Sequence, residues 1–199
     1  TNDQTSIFFN PGTLSSVENS KVSATFMKHV LDISSGQIVY TLPFTSQSAE
    51  RIAISAIYTT YGSFERTDEF ANVLGKFSAN NIALMSTYSN ELDSTLSYGC
   101  SAKFLYATLD DLSSTAIAMD AGILYKLPKS RTNIGFSLLN IGTQLSTFTG
   151  ITDALPVDVR LGVNHRLRGL PLLLNFSFHH LADDANAFFD RSEEHTSEL

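Results

Sequence analysis

The sequence of 199 residues lacks tryptophan, has one cysteine and five prolines, and carries charge on only 17% of its residues. Because Cys100 is the only cysteine, an internal disulfide framework is excluded. The formal net charge is −7, and no lysine or arginine cluster offsets it, which argues against a nucleic-acid-binding protein. No apolar run reaches about eighteen residues, so the sequence predicts no transmembrane helix.

The sequence does contain segments in which apolar and polar residues alternate. From Leu96 to Tyr106 every second residue is apolar, and the residues between them are small or polar except Leu105. Side chains alternate between the faces of a strand, so this period of two predicts one strand with an apolar and a polar face. The run spans roughly 36 Å, and a tilt of about 45° reduces this to about 25 Å, the height of the apolar band of an outer-membrane barrel.

Similar alternation recurs along the chain and predicts nine strands in all, although Ile57 falls out of phase in the third. Short connections near 45–50, 90–93, 128–131 and 168–171 alternate with longer ones near 62–79, 109–114 and 142–156. Short turns on one rim and long loops on the other are typical of outer-membrane barrels. The predicted fold class is therefore all-β, an antiparallel up-and-down transmembrane β-barrel in the outer membrane of a Gram-negative bacterium.

The same alternating segments predict which residues pair between neighbouring strands and which side chains face the interior of the barrel. Pairing in which the partner numbers add to 223 sets Phe104 opposite Met119 and Lys103 opposite Asp120, a favourable ion pair inside the barrel. A sum of 339 pairs Val163 with Phe176 and sets Arg160 opposite His179. The residues predicted to face the lumen are Ser101, Lys103, Asp120, Gly122, Arg160, Asn164 and His179. They either line a pathway or form a packed polar filling of the barrel.

The sequence contains no motif for catalysis or metal binding. His179 and His180 are neighbours on a strand, face opposite ways and do not share one metal ion. The acidic pairs at 110–111 and 183–184 fall in predicted loops without the spacing of a calcium-binding loop. No Gly-x-Ser-x-Gly elbow or glycine-rich phosphate loop occurs, so we expect no catalytic residue, no cofactor and no metal.

Four stretches of the chain resemble a known family. They are TDEFANVLGKFSA at 67–79, LNIGTQLSTFTG at 139–150, LPVDVRLGV at 155–163 and LPLLLNFSFHHL at 170–181. Together they resemble the PorQ family of outer-membrane proteins in the type IX secretion system, which is similar to the PorV proteins and to the FadL-type fatty-acid transporters. Phe9-Asn10-Pro11-Gly12 resembles the Asn-Pro motif that follows the N-terminal plug of that group, with glycine in place of the usual alanine.

The resemblance implies a barrel of about fourteen strands when complete, of which about nine are present. Residues 1–20 would be a remnant of the plug and lead-in segment, and residues 21–190 a partial barrel. The chain begins without methionine in polar sequence, so we expect a fragment. Residues 191–199 resemble the translation of a sequencing adapter and are expected to be an artefactual tail.

The resemblance also implies a function without catalysis. The protein would belong to the attachment complex of type IX secretion, with a sortase-like protein, a PorV-like shuttle barrel and a surface partner. It would anchor that partner and help present lipopolysaccharide for cargo attachment, with its long loops facing the cell surface. The residues expected to face partners are Phe64, Glu65, Arg66, Phe70, Thr147, Phe148, Thr149 and Ile151, and covering the barrel mouth is the other role open to them.

Two other functions stay open at this point. A FadL-like transporter of hydrophobic compounds would need an apolar pocket near the plug, which the polar inner rows do not favour. A soluble antiparallel sandwich or lectin-like domain would bury its apolar rows between two sheets. Five tyrosines near predicted strand ends favour a membrane barrel over that sandwich, because such barrels carry aromatic girdles; they are Tyr58, Tyr61, Tyr88, Tyr106 and Tyr125.

Overall fold

A computed structural model describes residues 3–17, 21–43, 49–168 and 172–179. Nine antiparallel strands form one sheet in chain order, which confirms the predicted all-β, up-and-down arrangement. They are β1 (Lys21–Lys28), β2 (Ser34–Pro43), β3 (Arg51–Thr67), β4 (Val73–Glu91), β5 (Leu96–Leu109), β6 (Leu112–Leu127), β7 (Thr132–Ser146), β8 (Asp158–Arg166) and β9 (Leu173–Phe178). Among the described residues β1 and β9 are not paired with each other, so the sheet is open.

Two short 3₁₀ helices, Gln4–Phe8 and Pro11–Ser16, precede the sheet and lie against one of its faces. We call residues 3–17 the N-terminal segment, the face beneath it the covered face, and the opposite face the outer face. Within the described ranges no helix is long and apolar enough to cross a membrane. Residues 191–199, His180 and most of the connection 45–50 lie outside the described residues.

The outer face carries the large apolar side chains, and they are exposed. On β5 and β6 it presents Phe104, Ile117, Met119 and Ile123, whereas Ser101, Ala118 and Asp120 on the covered face are buried. Tyr58 and Tyr106 belong to one register row. Tyr98 lies eight positions before Tyr106 on β5, a separation of roughly 27 Å along the strand. An apolar band between two levels of tyrosine is the pattern of a lipid-facing barrel wall.

The covered face holds a small core beneath the N-terminal segment. Ile7, Leu14 and Val17 of that segment are fully buried, and they cluster with side chains from β2, β3 and β4. These strand residues are Val39, Ala53 and Met85. The N-terminal segment therefore supplies about half of the apolar core, because the inner rows of the sheet are otherwise small or polar.

The register predicted between β5 and β6 is wrong by two residues. Leu109 pairs with Leu112, so partner numbers add to 221, and Lys103 lies opposite Ala118 instead of Asp120. The turn consists of Asp110 and Asp111 alone, and Asp110 has a φ of 57°, which aspartate tolerates in tight hairpin turns. The predicted loop 109–114 was too long, and a slip of two residues left every side chain on its predicted face.

The register predicted between β8 and β9 is confirmed. Val163 pairs with Phe176, and Leu161 pairs with Phe178. Strand β9 ends at Phe178, so His179 follows the ladder instead of pairing with Arg160.

The prediction of a long loop at 62–79 is also wrong. Strands β3 and β4 continue through most of it and leave only 68–72 as a turn, so Phe64, Glu65 and Arg66 lie in β3. The Asp68 carboxylate accepts hydrogen bonds from the backbone amides of Phe70 and Asn72 and from the Asn72 side chain. These bonds, the Asn72 side chain foremost, hold the pKa of Asp68 below its ordinary value.

The hairpin formed by residues 61–78 projects beyond its neighbours, and we call it the ribbon. Strand β2 stops pairing at Thr60 and β5 stops pairing at Ala79, so neither outer edge of the ribbon meets another strand. Of the predicted long loops, only the one after β7 stays long, and it is shorter than predicted, running from 147 to 157, because β7 continues to Ser146.

Candidate functional site on the covered face

The Asn10-Pro11-Gly12 sequence of the N-terminal segment docks across β5, β6 and β7. Asn10 Nδ2 donates to the carbonyls of Ile123 at 2.8 Å and Phe136 at 3.2 Å, and Asn10 Oδ1 accepts from the Gly12 amide at 2.9 Å. Two paired glycines, Gly99 and Gly122, make room for this contact. A Cβ at Gly99 would lie 2.5 Å from the Pro11 carbonyl carbon, and one at Gly122 would collide with Asn10 Oδ1. The tight fit therefore needs glycine at both positions.

Lys103 and Asp120 form an ion pair despite the changed register. Asp120 lies opposite Ser101, and Lys103 Nζ reaches Asp120 Oδ2 diagonally at 2.7 Å. Asp120 Oδ1 accepts the backbone amide of Asn140 at 2.8 Å, and Lys103 Nζ also donates to Asn140 Oδ1 at 2.9 Å. Asn140 has a φ of 61° and sits where the β6–β7 register shifts. The ion pair therefore also satisfies the backbone of a β-bulge.

A second ion pair lies beside the N-terminal segment. Arg160 Nε donates to Asp158 Oδ2 at 2.6 Å, and the Arg160 guanidinium carbon lies 5.3 Å from the centre of the Phe9 ring. The Phe9 carbonyl accepts the Ser137 hydroxyl at 2.7 Å. Each of these two cations is neutralised by its own carboxylate, so neither pair adds net charge to the covered face.

All seven residues predicted to face the lumen lie on the covered face or at its edge. Ser101 shares a hydrogen bond of 2.8 Å with Thr87, and Asn164 accepts one of 3.1 Å from Asn133. His179 contacts the Ser177 hydroxyl at 3.0 Å through Nε2. They divide between two places: Ser101, Lys103, Asp120 and Gly122 on β5 and β6, and Arg160, Asn164 and His179 near β8 and β9.

An apolar pocket of about 360 Å³ lies on the covered face, toward the ribbon end of the sheet. The two apolar residues that broke the polar rows, Ile57 and Leu105, both line it. Alanines from β4, β5 and β6 also line it, together with Phe148 and Leu155 of the 147–157 loop. Thr59, Asn81, Ser114 and Gln144 supply its polar groups. Sequence reasoning missed this pocket, although the break in alternation at Leu105 was its signal.

The residues predicted to face partners occupy three environments. Phe64 stacks on Phe77 within the ribbon, with ring centres 5.3 Å apart, and Arg66 pairs with Asp110 of the β5–β6 turn. Phe70 at the ribbon tip is 76% exposed. In the 147–157 loop, Phe148 is half-buried over the apolar pocket, whereas Thr149 and Ile151 are exposed. Glu65 is exposed in β3, and Thr147 is half-buried at the start of the loop.

No protein-family model and no curated protein matches this chain. Among solved structures, the chain is similar to a TodX deltaS2S3 mutant, a monoaromatic hydrocarbon channel, with a TM-score of 0.62 and 12% sequence identity. The match covers 89% of this chain and 65% of the TodX chain. The two share a fold, an antiparallel up-and-down β-sheet of the FadL-like barrel type. At this identity the likeness establishes the fold alone.

The described residues of the covered face form two cavities and two ion pairs. Among residues 3–17, 21–43, 49–168 and 172–179, no three histidine, cysteine, aspartate or glutamate side chains cluster as metal ligands would. The charged side chains described above are paired with each other. The arrangement offers the apolar pocket near the ribbon and a second cleft beside Arg160 and Asn164, whose largely apolar lining includes asparagine amides.

Proposed function

We propose that this chain belongs to an outer-membrane barrel that binds small apolar compounds on its inner side and passes them across the outer membrane. The observation that carries the proposal is the apolar pocket formed by Ile57, Leu105 and the 147–157 loop on an otherwise polar face. One solved structure to which the chain is similar is a monoaromatic hydrocarbon channel. In this proposal the outer face contacts lipid, and the ribbon and the 147–157 loop face the cell surface.

The size of the pocket favours a compact ligand. An apolar cavity of about 150 Å³ holds benzene, so the 360 Å³ here accommodates one aromatic ring with substituents. Leu105, Ile57 and Phe148 offer apolar contact, and each side chain that buries its surface against the ligand contributes about 25 cal/mol per Å². Asn81 and Gln144 stand at the polar end, so a single hydroxyl on the ring would also find a partner.

Replacing Leu105 by glutamine tests this function. We expect at least about tenfold weaker binding of toluene. Glutamine has a volume similar to that of leucine, but its amide would lose hydrogen bonds to water when toluene binds, and toluene cannot replace them. Saturation-transfer NMR on the full chain in detergent measures the affinity. The same change at Leu74, an exposed leucine of the ribbon, is the control and should leave binding unchanged. Equal toluene affinity in Leu105→Gln and wild type would overturn the proposal.

A second proposal places the protein in the attachment complex of type IX secretion, with lipopolysaccharide, a sortase-like protein, a PorV-like shuttle and a surface partner. It rests on the resemblance of the four sequence stretches and on the ribbon, whose free edges and exposed Phe70 suit a protein contact. The comparisons add no support to it. The Leu74→Gln variant separates the two proposals. If the second proposal is correct, this variant loses the surface proteins that copurify with the wild type but still binds toluene; the first proposal predicts no such loss.

A further inference from the structure

Three asparagines cross β7, β8 and β9 in a single register row on the covered face. Asn133 pairs with Asn164, and Asn164 pairs with Asn175. Asparagine is depleted in strands, so three in one row are not explained by strand formation. Asn133 Nδ2 donates to Asn164 Oδ1 at 3.1 Å, and within the described part of the chain no other residue bonds to these three amide groups. The row thus presents both donors and acceptors that are free to bind a ligand.

The neighbouring row has open space above Gly162, while Asn10 lies over Gly135. It consists of Gly135, Gly162 and Ser177, which are paired with one another across the same three strands. A Cβ at Gly162 would meet nothing nearer than the Phe176 carbonyl oxygen, at 4.0 Å. Together the two rows form the floor of a cleft of about 220 Å³, which we call the amide cleft. It shares no lining residue with the apolar pocket.

The walls of the amide cleft combine an aromatic ring with further polar groups. Phe9 of the N-terminal segment lies on one side, more than half exposed, and Leu124 lies near it. Arg160 also lines the cleft; its Nε donates to Asp158, and its guanidinium lies over the Phe9 ring. His179 stands at the open end, beside Ser177.

We propose that the amide cleft binds a single neutral sugar ring. A pyranose has an apolar C–H face that packs on Phe9 and Leu124, and hydroxyls that both donate and accept, as the asparagine amides require. An apolar ligand would desolvate those amides without replacing their hydrogen bonds, at about 1–3 kcal/mol for each group. A simple anion would find Arg160 already neutralised by Asp158. The volume of the cleft is enough for one sugar ring.

The test is a titration of the full chain with methyl glucoside and methyl galactoside, followed by saturation-transfer NMR. An amine-oxide detergent is required, because a maltoside headgroup would compete for the cleft. We expect binding with a Kd on the order of 1 mM. Gly162→Val fills the open space with a residue that strands favour and should abolish binding, while Asn164→Leu should weaken it about tenfold. The control is Asn80→Leu, which replaces a half-buried asparagine of β4 outside the cleft and should leave binding unchanged.

Three results would overturn the proposal. The first is the absence of sugar binding by a chain that circular dichroism shows to be folded. The second is sugar binding that survives Gly162→Val, because the ligand then lies elsewhere. The third is competition by sulfate or acetate at similar concentration, which would assign the cleft to an anion. Toluene binding at the apolar pocket is unaffected by all three variants, so failure here is distinguishable from failure of the proposed transport function.

Discussion

Replacing Gly99 by valine is expected to detach the N-terminal segment from the sheet and to lower the free energy of unfolding by about 3–5 kcal/mol. The added Cβ would lie 2.5 Å from the Pro11 carbonyl carbon and 2.8 Å from the Gly12 amide nitrogen. Both are backbone atoms, so no side-chain rotation relieves the overlap. Undocking exposes Ile7, Leu14 and Val17, and each buried side chain of this kind contributes about 1.5–3 kcal/mol.

Two measurements follow the effect of Gly99→Val. Urea unfolding reports the loss of stability, and limited proteolysis reports cleavage within residues 3–17, which should be protected in the wild type. The matched control is Gly162→Val, the same substitution on the same face, where a Cβ has open space. The control should retain wild-type stability and protection. If Gly99→Val matched Gly162→Val in both measurements, the close docking of Pro11 against Gly99 would be wrong.

Replacing Asp120 by leucine is expected to cost about 3–5 kcal/mol, because one partner of a buried ion pair is left alone. The Asp120 side chain is 0% exposed and that of Lys103 is 14% exposed. The substitution leaves the Lys103 ammonium without its counter-ion and also removes the acceptor of the Asn140 backbone amide in the β-bulge. Arg66→Met breaks an exposed ion pair with Asp110 and should cost no more than about 1 kcal/mol.

A double-mutant cycle measures the coupling of Lys103 with Asp120. Lys103→Met and Asp120→Leu should each destabilise strongly, and the double variant should cost clearly less than their sum, since no unpaired charge remains. Denaturant unfolding of the four proteins in one detergent supplies the values. Additive effects would contradict the account, because they would mean that the two side chains do not interact.

Strand order and the assignment of faces could be predicted from the sequence because both follow from a period of two. The register of β8 and β9 could also be predicted, whereas that of β5 and β6 could not, because it depends on the length of the turn. The Asp110–Asp111 turn is two residues long, and the predicted loop assumed more. The error was an even number of residues, so Lys103 and Asp120 kept their face and still met diagonally.

The candidate sites depend on contacts that one-dimensional patterns do not contain. Asn10 bonds to carbonyls more than a hundred residues away, at Ile123 and Phe136. The apolar pocket arises where Leu105 and Ile57 break the alternation, which is where a functional site that departs from local rules is expected. Phe148 joins that pocket only because the 147–157 loop folds back over the sheet. The asparagine row becomes visible only once the β7–β8–β9 register is known.

The central claim is that the exposed apolar band of the outer face contacts lipid, and Cys100 offers a direct test. It is the only cysteine of the chain, and its side chain is exposed on the outer face of β5, between Tyr98 and Phe104. A nitroxide attached there in lipid vesicles can be probed by power-saturation spectroscopy with molecular oxygen and with a water-soluble nickel complex. The account predicts strong relaxation by oxygen and little by nickel, with the reverse at a label placed by Leu74→Cys in a Cys100→Ser background. Equal access of nickel to both sites would contradict it.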